Sequence, residues 1–189
     1  MQILMLGNSF TSANDLPALL AQQLDAQVLA HTRGGARLSE HLNPSTRMGQ
    51  RTQEALASRR FDYVVLQEMS NGPITSRRRF LESSRQLCAC IREAGAVPVF
   101  YATWAYQAGS DRLAAIGLSY EDMTRQLAEA YAEAARQGEA LLAPVGLRFA
   151  EEAASRQLYA RDGAHPSSAG TALAAETLAA VILAHWESR

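Results

Sequence analysis

Two short segments of this chain carry residue types that could do covalent chemistry together. Gly7-Asn8-Ser9-Phe10 offers a serine, and Asp162-Gly163-Ala164-His165-Pro166 offers a carboxylate and an imidazole. A serine hydroxyl attacks a carbonyl only when a base takes its proton, and that base is usually a histidine oriented by a carboxylate. The close spacing of Asp162 and His165 lets one bent loop present both groups side by side. Gly163 permits the bend, and Pro166 keeps His165 extended and out of the following helix. Each segment also has an ordinary reading. Ser9, Thr11 or Ser12 can cap a helix, and Asp162 can make an Asx-turn into a helix capped by Ser167 or Ser168.

The chain between must bring these segments to one edge of the protein. Short apolar runs at residues 2–6, 27–32, 62–67, 97–101 and 140–143 read as strands. Residues 16–24, 46–58, 80–94, 120–137 and 167–186 have helical spacing, with stops at Gly95 and Gly138. Alternating strands and helices predict a parallel sheet covered on both faces. The expectation is one α/β domain over residues 1–189, a flavodoxin-like three-layer α/β/α sandwich with strand order 2-1-3-4-5. Residues 102–119 form the longest irregular stretch. In such sheets ligands sit at the carboxyl ends of the strands. Here those ends are the loops at Gly7, Gly34, Gln67, Thr103 and Pro144. Ser9 falls just past the first strand, before a helix whose N-terminus favours a nearby anion. Asp162 and His165 fall just before the last helix.

These positions match a known pattern. Gly7-Asn8-Ser9-Phe10 resembles the first block of the SGNH hydrolases, a branch of the GDSL esterase-lipase group, where Gly-Asp-Ser is usual. Asp162-Gly163-Ala164-His165-Pro166 resembles their last block, Asp-x-x-His-Pro, and the likeness runs over nearly the whole chain. The resemblance implies that Ser9 is a nucleophile, His165 a general base and then acid, and Asp162 its orienting partner. It also implies an oxyanion hole. The Ser9 backbone N–H is one donor. Gly34-Gly35-Ala36-Arg37-Leu38 is similar to the Gly-Gly-x-x-Leu of small members, which favours Gly35 over Gly34 as the second, although glycines also serve tight turns. The third block departs from the usual Gly-x-Asn-Asp. It reads Gln67-Glu68-Met69-Ser70-Asn71, so the side-chain donor is Gln67, with Asn71 as the alternative, as in Gln-Gly-Glu-Ser-Asn of sialate O-acetylesterase-like members.

Other residues have weaker assignments. Asn8, Phe10, Trp104 and Tyr106 are candidates for lining a substrate pocket, with packing under a loop as the alternative for the last two. Glu68 is a second acid or an arginine's salt-bridge partner. His31 and His41 stand apart from other ligand types and read as structural, with no metal site.

Composition narrows the function further. The chain is 48% hydrophobic and 20% charged, with net charge −1. That balance gives no electrostatic case for nucleic acid or an anionic membrane as partner. The basic side chains are all arginine, which excludes a Schiff-base or P-loop lysine. Arg77-Arg78-Arg79 is an anion patch or a solvated helix face. Cys88 and Cys90, two apart on a predicted helix, point in different directions and are poorly placed to pair. The N-terminus lacks a basic n-region, and no apolar run reaches about 20 residues. The expected location is therefore cytoplasmic.

The expected activity is a cofactor-free serine ester hydrolase. The family resemblance points to small short-acyl or acetylated carbohydrate esters. The rivals are acyl transfer to an alcohol acceptor and a non-catalytic flavodoxin-like ligand-binding domain. The second rival leaves Asp162 and His165 without a role.

Overall fold

The computed structural model describes residues 1–189 and pairs five apolar runs as strands: β1 (Gln2–Gly7), β2 (Gln27–Thr32), β3 (Tyr63–Leu66), β4 (Val97–Tyr101) and β5 (Leu141–Ala143). All neighbours are parallel, in the order β2-β1-β3-β4-β5. The register sets Ile3 beside Tyr63 and Leu6 beside Leu66 on one flank, and Gly7 beside Thr32 on the other. The ends of β1, β2 and β3 thus lie together.

Side chains alternate across the sheet, and both faces are buried, so the strands read as continuous apolar runs. Ile3, Met5, Tyr63, Val65, Val99 and Tyr101 face one core. Leu4, Leu6, Val64, Leu66 and Phe100 face the other. The longer helices are α2 (Leu16–Leu24), α4 (Arg47–Ser58), α6 (Arg77–Glu93), α8 (Tyr120–Gly138) and α10 (Ser168–Glu187). α2 and α10 close the first core through Leu16, Leu20, Leu173 and Leu178. α4 and α6 close the second through Ala55, Phe80, Leu87 and Ile91. α8 serves both, giving Met123 and Leu127 to the first and Ala130 and Tyr131 to the second. The result is the three-layer sandwich expected from the strand–helix alternation.

Short helices account for most of what the sequence pattern leaves out. They are α1 (Ser9–Ser12), α3 (Leu38–Leu42), α5 (Gly72–Thr75), α7 (Asp111–Ile116) and α9 (Val145–Glu152). Each is too short to show a helical period. α7 falls inside the stretch read as irregular. A second difference concerns α10. By length and composition it is apolar enough to cross a membrane, contrary to the reading of the sequence, and half of its most apolar window is buried in the core. Cys88 is buried and Cys90 exposed, both free, and burial pushes the Cys88 thiol up to about 12.

The start of α10 is packed backbone to backbone. A Cβ on Gly170 would lie 2.2 Å from the Leu158 carbonyl oxygen. Alanine is normally worth about 1 kcal/mol over glycine inside a helix. Here the clash should reverse the sign, and Gly170→Ala should destabilise the protein by about 1–3 kcal/mol. Thermal unfolding checks this, with an expected fall in Tm of roughly 2–12 °C.

Candidate functional site

The first site loop leaves the sheet at Gly7. At Asn8 its backbone is inside the protein, so that N–H needs a partner. Gln67, the residue after β3, supplies it. Its Oε1 accepts the Asn8 N–H at 2.9 Å and the Thr11 hydroxyl at 2.9 Å, while its Nε2 donates to the Glu68 carbonyl. Gly7 has to be glycine for this contact, because a Cβ would lie 2.6 Å from Gln67 Oε1 and 2.3 Å from Thr11 Oγ1. Asn8 caps α1: its Oδ1 accepts the Phe10 N–H at 3.0 Å and its Nδ2 donates to the Ala36 carbonyl at 3.0 Å. Capping therefore falls to Asn8, and the Ser9 hydroxyl is left free. Ser9 N–H lies in the first turn, where no carbonyl four residues back is there to receive it.

The second site loop is a tight hairpin. Ala160 N–H donates to the His165 carbonyl at 2.8 Å, and Gly163, at φ +66, makes the turn. Asp162 Oδ1 accepts the backbone N–H of Ala164 at 3.1 Å and of His165 at 2.9 Å. This is the Asx-turn read from the sequence, and it leaves the other carboxylate oxygen for the ring. Asp162 Oδ2 lies 2.6 Å from His165 Nδ1, and His165 Nε2 lies 2.9 Å from Ser9 Oγ. Partial burial alone would push the Asp162 carboxyl up. The hydrogen bonds from the His165 ring and the two backbone N–H groups outweigh it and hold the group at about 2. With Asp162 ionised, Nδ1 must carry the ring proton to donate it, so neutral His165 keeps Nε2 free to accept from the Ser9 hydroxyl.

Two devices that the sequence pattern did not single out fix the loops to each other. Asn14, in the left-handed region at φ 48, donates from Nδ2 to the Pro166 carbonyl at 3.1 Å and to Thr171 Oγ1 at 2.8 Å. Asparagine tolerates that conformation better than most residues, which is the signal the sequence held. The other device is a stack of rings. Phe10 and Phe149 sandwich Trp104, with centroids 4.8 and 3.9 Å away and planes within 5°. Trp104 Nε1–H donates to the Ala164 carbonyl at 2.9 Å, and Phe10 meets the His165 ring edge-on.

A crevice of about 330 Å³ opens over Ser9 and His165. Gly35, Asn71, Asn8, Phe10 and Tyr106 line it, while Gly34, Gln67 and Trp104 do not. Three sequence assignments change accordingly. Gln67 is fully buried, with its Nε2 donating to the Glu68 carbonyl and its Oε1 taken twice, so the preference for it as the crevice donor fails; of the two candidate amides Asn71 is the one that lines the crevice. Trp104, a pocket candidate, is instead a buried support for the His165 loop. Asn8 lies along the crevice but is 2% exposed, with its side chain turned to Phe10 N–H and Ala36. Gly35 takes φ +67, and its N–H makes no bond within the chain. Tyr106 holds Ser70 Oγ at 2.8 Å across the crevice.

Glu68 is an arginine's partner: Arg37 Nη1 lies 3.9 Å away, and the Leu38 and Met69 N–H groups donate to its carboxylate. Burial raises its pKa against those bonds. His31 and His41 are buried away from the crevice. His41 Nδ1 meets Thr52 Oγ1 at 2.9 Å, and burial lowers its pKa to about 4.

No protein-family model and no curated protein matches the chain. Solved structures do. A protein from Slackia heliotrinireducens, assigned by its name to the SGNH hydrolases, is 52% identical with a TM-score of 0.93, over 96% of this chain and 98% of that one. A DUF4886 family protein from Bacteroides uniformis is 20% identical, with a TM-score of 0.72 over 96% and 82%. The psychrotrophic esterase EstA from Pseudoalteromonas sp. is 14% identical, with a TM-score of 0.67 over 100% and 99%. The last two likenesses show the fold alone.

The Asp162 bonds make a prediction about pH. Its pKa is lowered by folding from the ordinary 3.8 to about 2. The resulting stabilisation is therefore complete above about pH 4 and is lost as the pH falls toward 2. The gap in unfolding free energy between wild type and Asp162→Asn should be smaller near about pH 2 to 3 than at about pH 5. Denaturant melts across this range read the gap directly.

Proposed function

The chain belongs to the SGNH hydrolases, and we propose that it is a serine ester hydrolase acting through Ser9, His165 and Asp162. The observation that carries this reading is the continuous chain of hydrogen bonds from Asp162 Oδ2 through His165 to Ser9 Oγ, at 2.6 and 2.9 Å. It opens on a crevice next to N–H groups that have no partner.

His165 Nε2 takes the hydroxyl proton as Ser9 Oγ forms a bond to the ester carbonyl carbon. The carbonyl π pair moves onto oxygen, and the backbone N–H groups of Ser9 and Gly35 with the Asn71 amide hold the negative charge. The charge reforms the carbonyl, the bond to the alcohol oxygen breaks, and His165 gives the proton to the leaving alcohol. Water then attacks the acyl-enzyme with His165 again as base, releasing the acid and restoring Ser9. Asp162 keeps the imidazole in the required tautomer and stabilises its protonated form. The small crevice favours short acyl groups. The polar side chains of Ser70, Asn71 and Tyr106 along it suit a hydroxylated alcohol such as a sugar better than a lipid.

Turnover of p-nitrophenyl acetate and labelling by a fluorophosphonate test the assignment. Ser9→Ala should lose about 10⁴-fold or more in kcat and all labelling. Equal turnover by wild type and Ser9→Ala would falsify the mechanism. The two amides separate by what they change. Asn71→Ala should lower kcat by about 10²–10³ with little effect on KM. Gln67→Leu should lower stability by about 1–3 kcal/mol by stranding the Asn8 N–H, as denaturant melts will show.

A further inference from the structure

The crevice over Ser9 is lined by eleven residues, none of them Asp or Glu, and Arg112 is the one that carries a permanent charge. Arg112 stands on α7. Its Nη2 lies 3.4 Å from Asp162 Oδ2, and the guanidinium makes no other ion pair. That separation is longer than a good charge-assisted hydrogen bond of about 2.7–2.9 Å. Asp162 already receives the His165 ring and two backbone N–H groups. A guanidinium has five N–H donors in a planar fork, so most of this one is uncommitted.

Two further features keep it available. Its side chain is 51% exposed. Gly109 and Gly117, at φ +77 and +72, bracket α7 with nothing packed where a Cβ would be. In the adjoining depression Arg161 also lies beside Asp162 without an ion pair of its own, together with one further acid, Asp111.

A half-exposed arginine that only orients Asp162 has no need to line the crevice. Because it stands beside the Asp162–His165 pair, the part of a substrate nearest to it is the part that His165 protonates, the leaving alcohol. We propose that Arg112 selects esters whose alcohol portion carries an anionic group, a carboxylate or a phosphate. The proposal rests on the serine-esterase reading. It makes Arg112 a specificity residue, where an orienting role alone would affect every ester alike.

The test compares 4-acetoxybenzoate, which has a carboxylate on its leaving group, with neutral phenyl acetate. In Arg112→Ala the ratio of kcat/KM for the anionic over the neutral ester should fall about tenfold, the scale of one charged hydrogen-bonded contact. Arg112→Lys should recover part of it, and added salt should lower the wild-type ratio. An equal loss on both esters, which leaves the ratio unchanged, would mean that Arg112 acts through Asp162 alone, and no loss on either would mean that it meets no substrate. Either outcome overturns the proposal. If wild type hydrolyses neither ester, the esterase reading fails, and calorimetric titration with 4-hydroxybenzoate decides the arginine's part. Binding that Arg112→Ala loses supports it, and no binding by wild type overturns it.

Discussion

The whole arrangement depends on one carboxamide oxygen. Where β1 ends, the chain must turn sharply inside the protein without stranding the buried Asn8 N–H, since an unpaired buried donor costs about 1–3 kcal/mol. Gln67 Oε1 meets that demand twice, at the Asn8 N–H and the Thr11 hydroxyl. It can do so because β3 pairs directly with β1, which sets residue 67 one step beyond the Leu6–Leu66 pair. The space is so tight that only glycine fits at position 7. With the turn held from below, Asn8 is free to cap α1, and the serine that follows is relieved of capping. The direction of the Ser9 hydroxyl is thus a consequence of strand order, transmitted through one side chain.

The second loop is held by different means. Asp162 uses one oxygen on backbone and the other on the imidazole, so the same carboxylate shapes the hairpin and fixes the tautomer. The hairpin is then pinned to the rest of the molecule by Trp104, whose indole N–H takes the Ala164 carbonyl. The Phe10–Trp104–Phe149 stack buries three large rings, and each well-placed pair adds about 0.5–1.5 kcal/mol beyond its buried area. Phe10 follows Ser9 and Ala164 precedes His165, so one column of stacked rings ties together the two loops that carry them. Catalytic geometry needs such tolerance, since a misplacement of about 1 Å can cost 100-fold in rate.

How far this was legible in the sequence follows from what kind of signal each feature leaves. The sheet order and the longer helices were legible, because apolar runs and helical spacing extend over many residues. Ser9, Asp162 and His165 were legible as a constellation, because two short motifs fell at the two places this topology brings together. The place of Gln67 is not legible. An amide at a strand end looks the same whether it faces a crevice or a buried turn, and only the 2.9 Å contact at Asn8 N–H distinguishes them. Trp104 keeps two readings in the sequence for a related reason, since a large aromatic in a loop after a strand fits a pocket wall and a buried support equally. Asn14 and Arg112 went unmarked because their partners lie across the fold, at Pro166 and Asp162, with no periodic pattern linking them.

The segment between β4 and α8 joins these two kinds of constraint. Its first part carries Trp104, 1% exposed and stacked on both faces, where any change of shape reaches His165. Its later part carries Arg112, half-exposed, on a short helix between two glycines of positive φ, while Leu113 of the same helix packs in the core. In the proposed mechanism the chemistry therefore rests on the buried part, and recognition falls to the exposed one. Loops do this generally: a scaffold fixes the reacting atoms, and surface segments tolerate the variation that sets what is bound. Here one stretch of chain does both, and the division falls between Tyr106, whose hydroxyl is held by Ser70, and α7, which gives Leu113 to the core and Arg112 to the crevice.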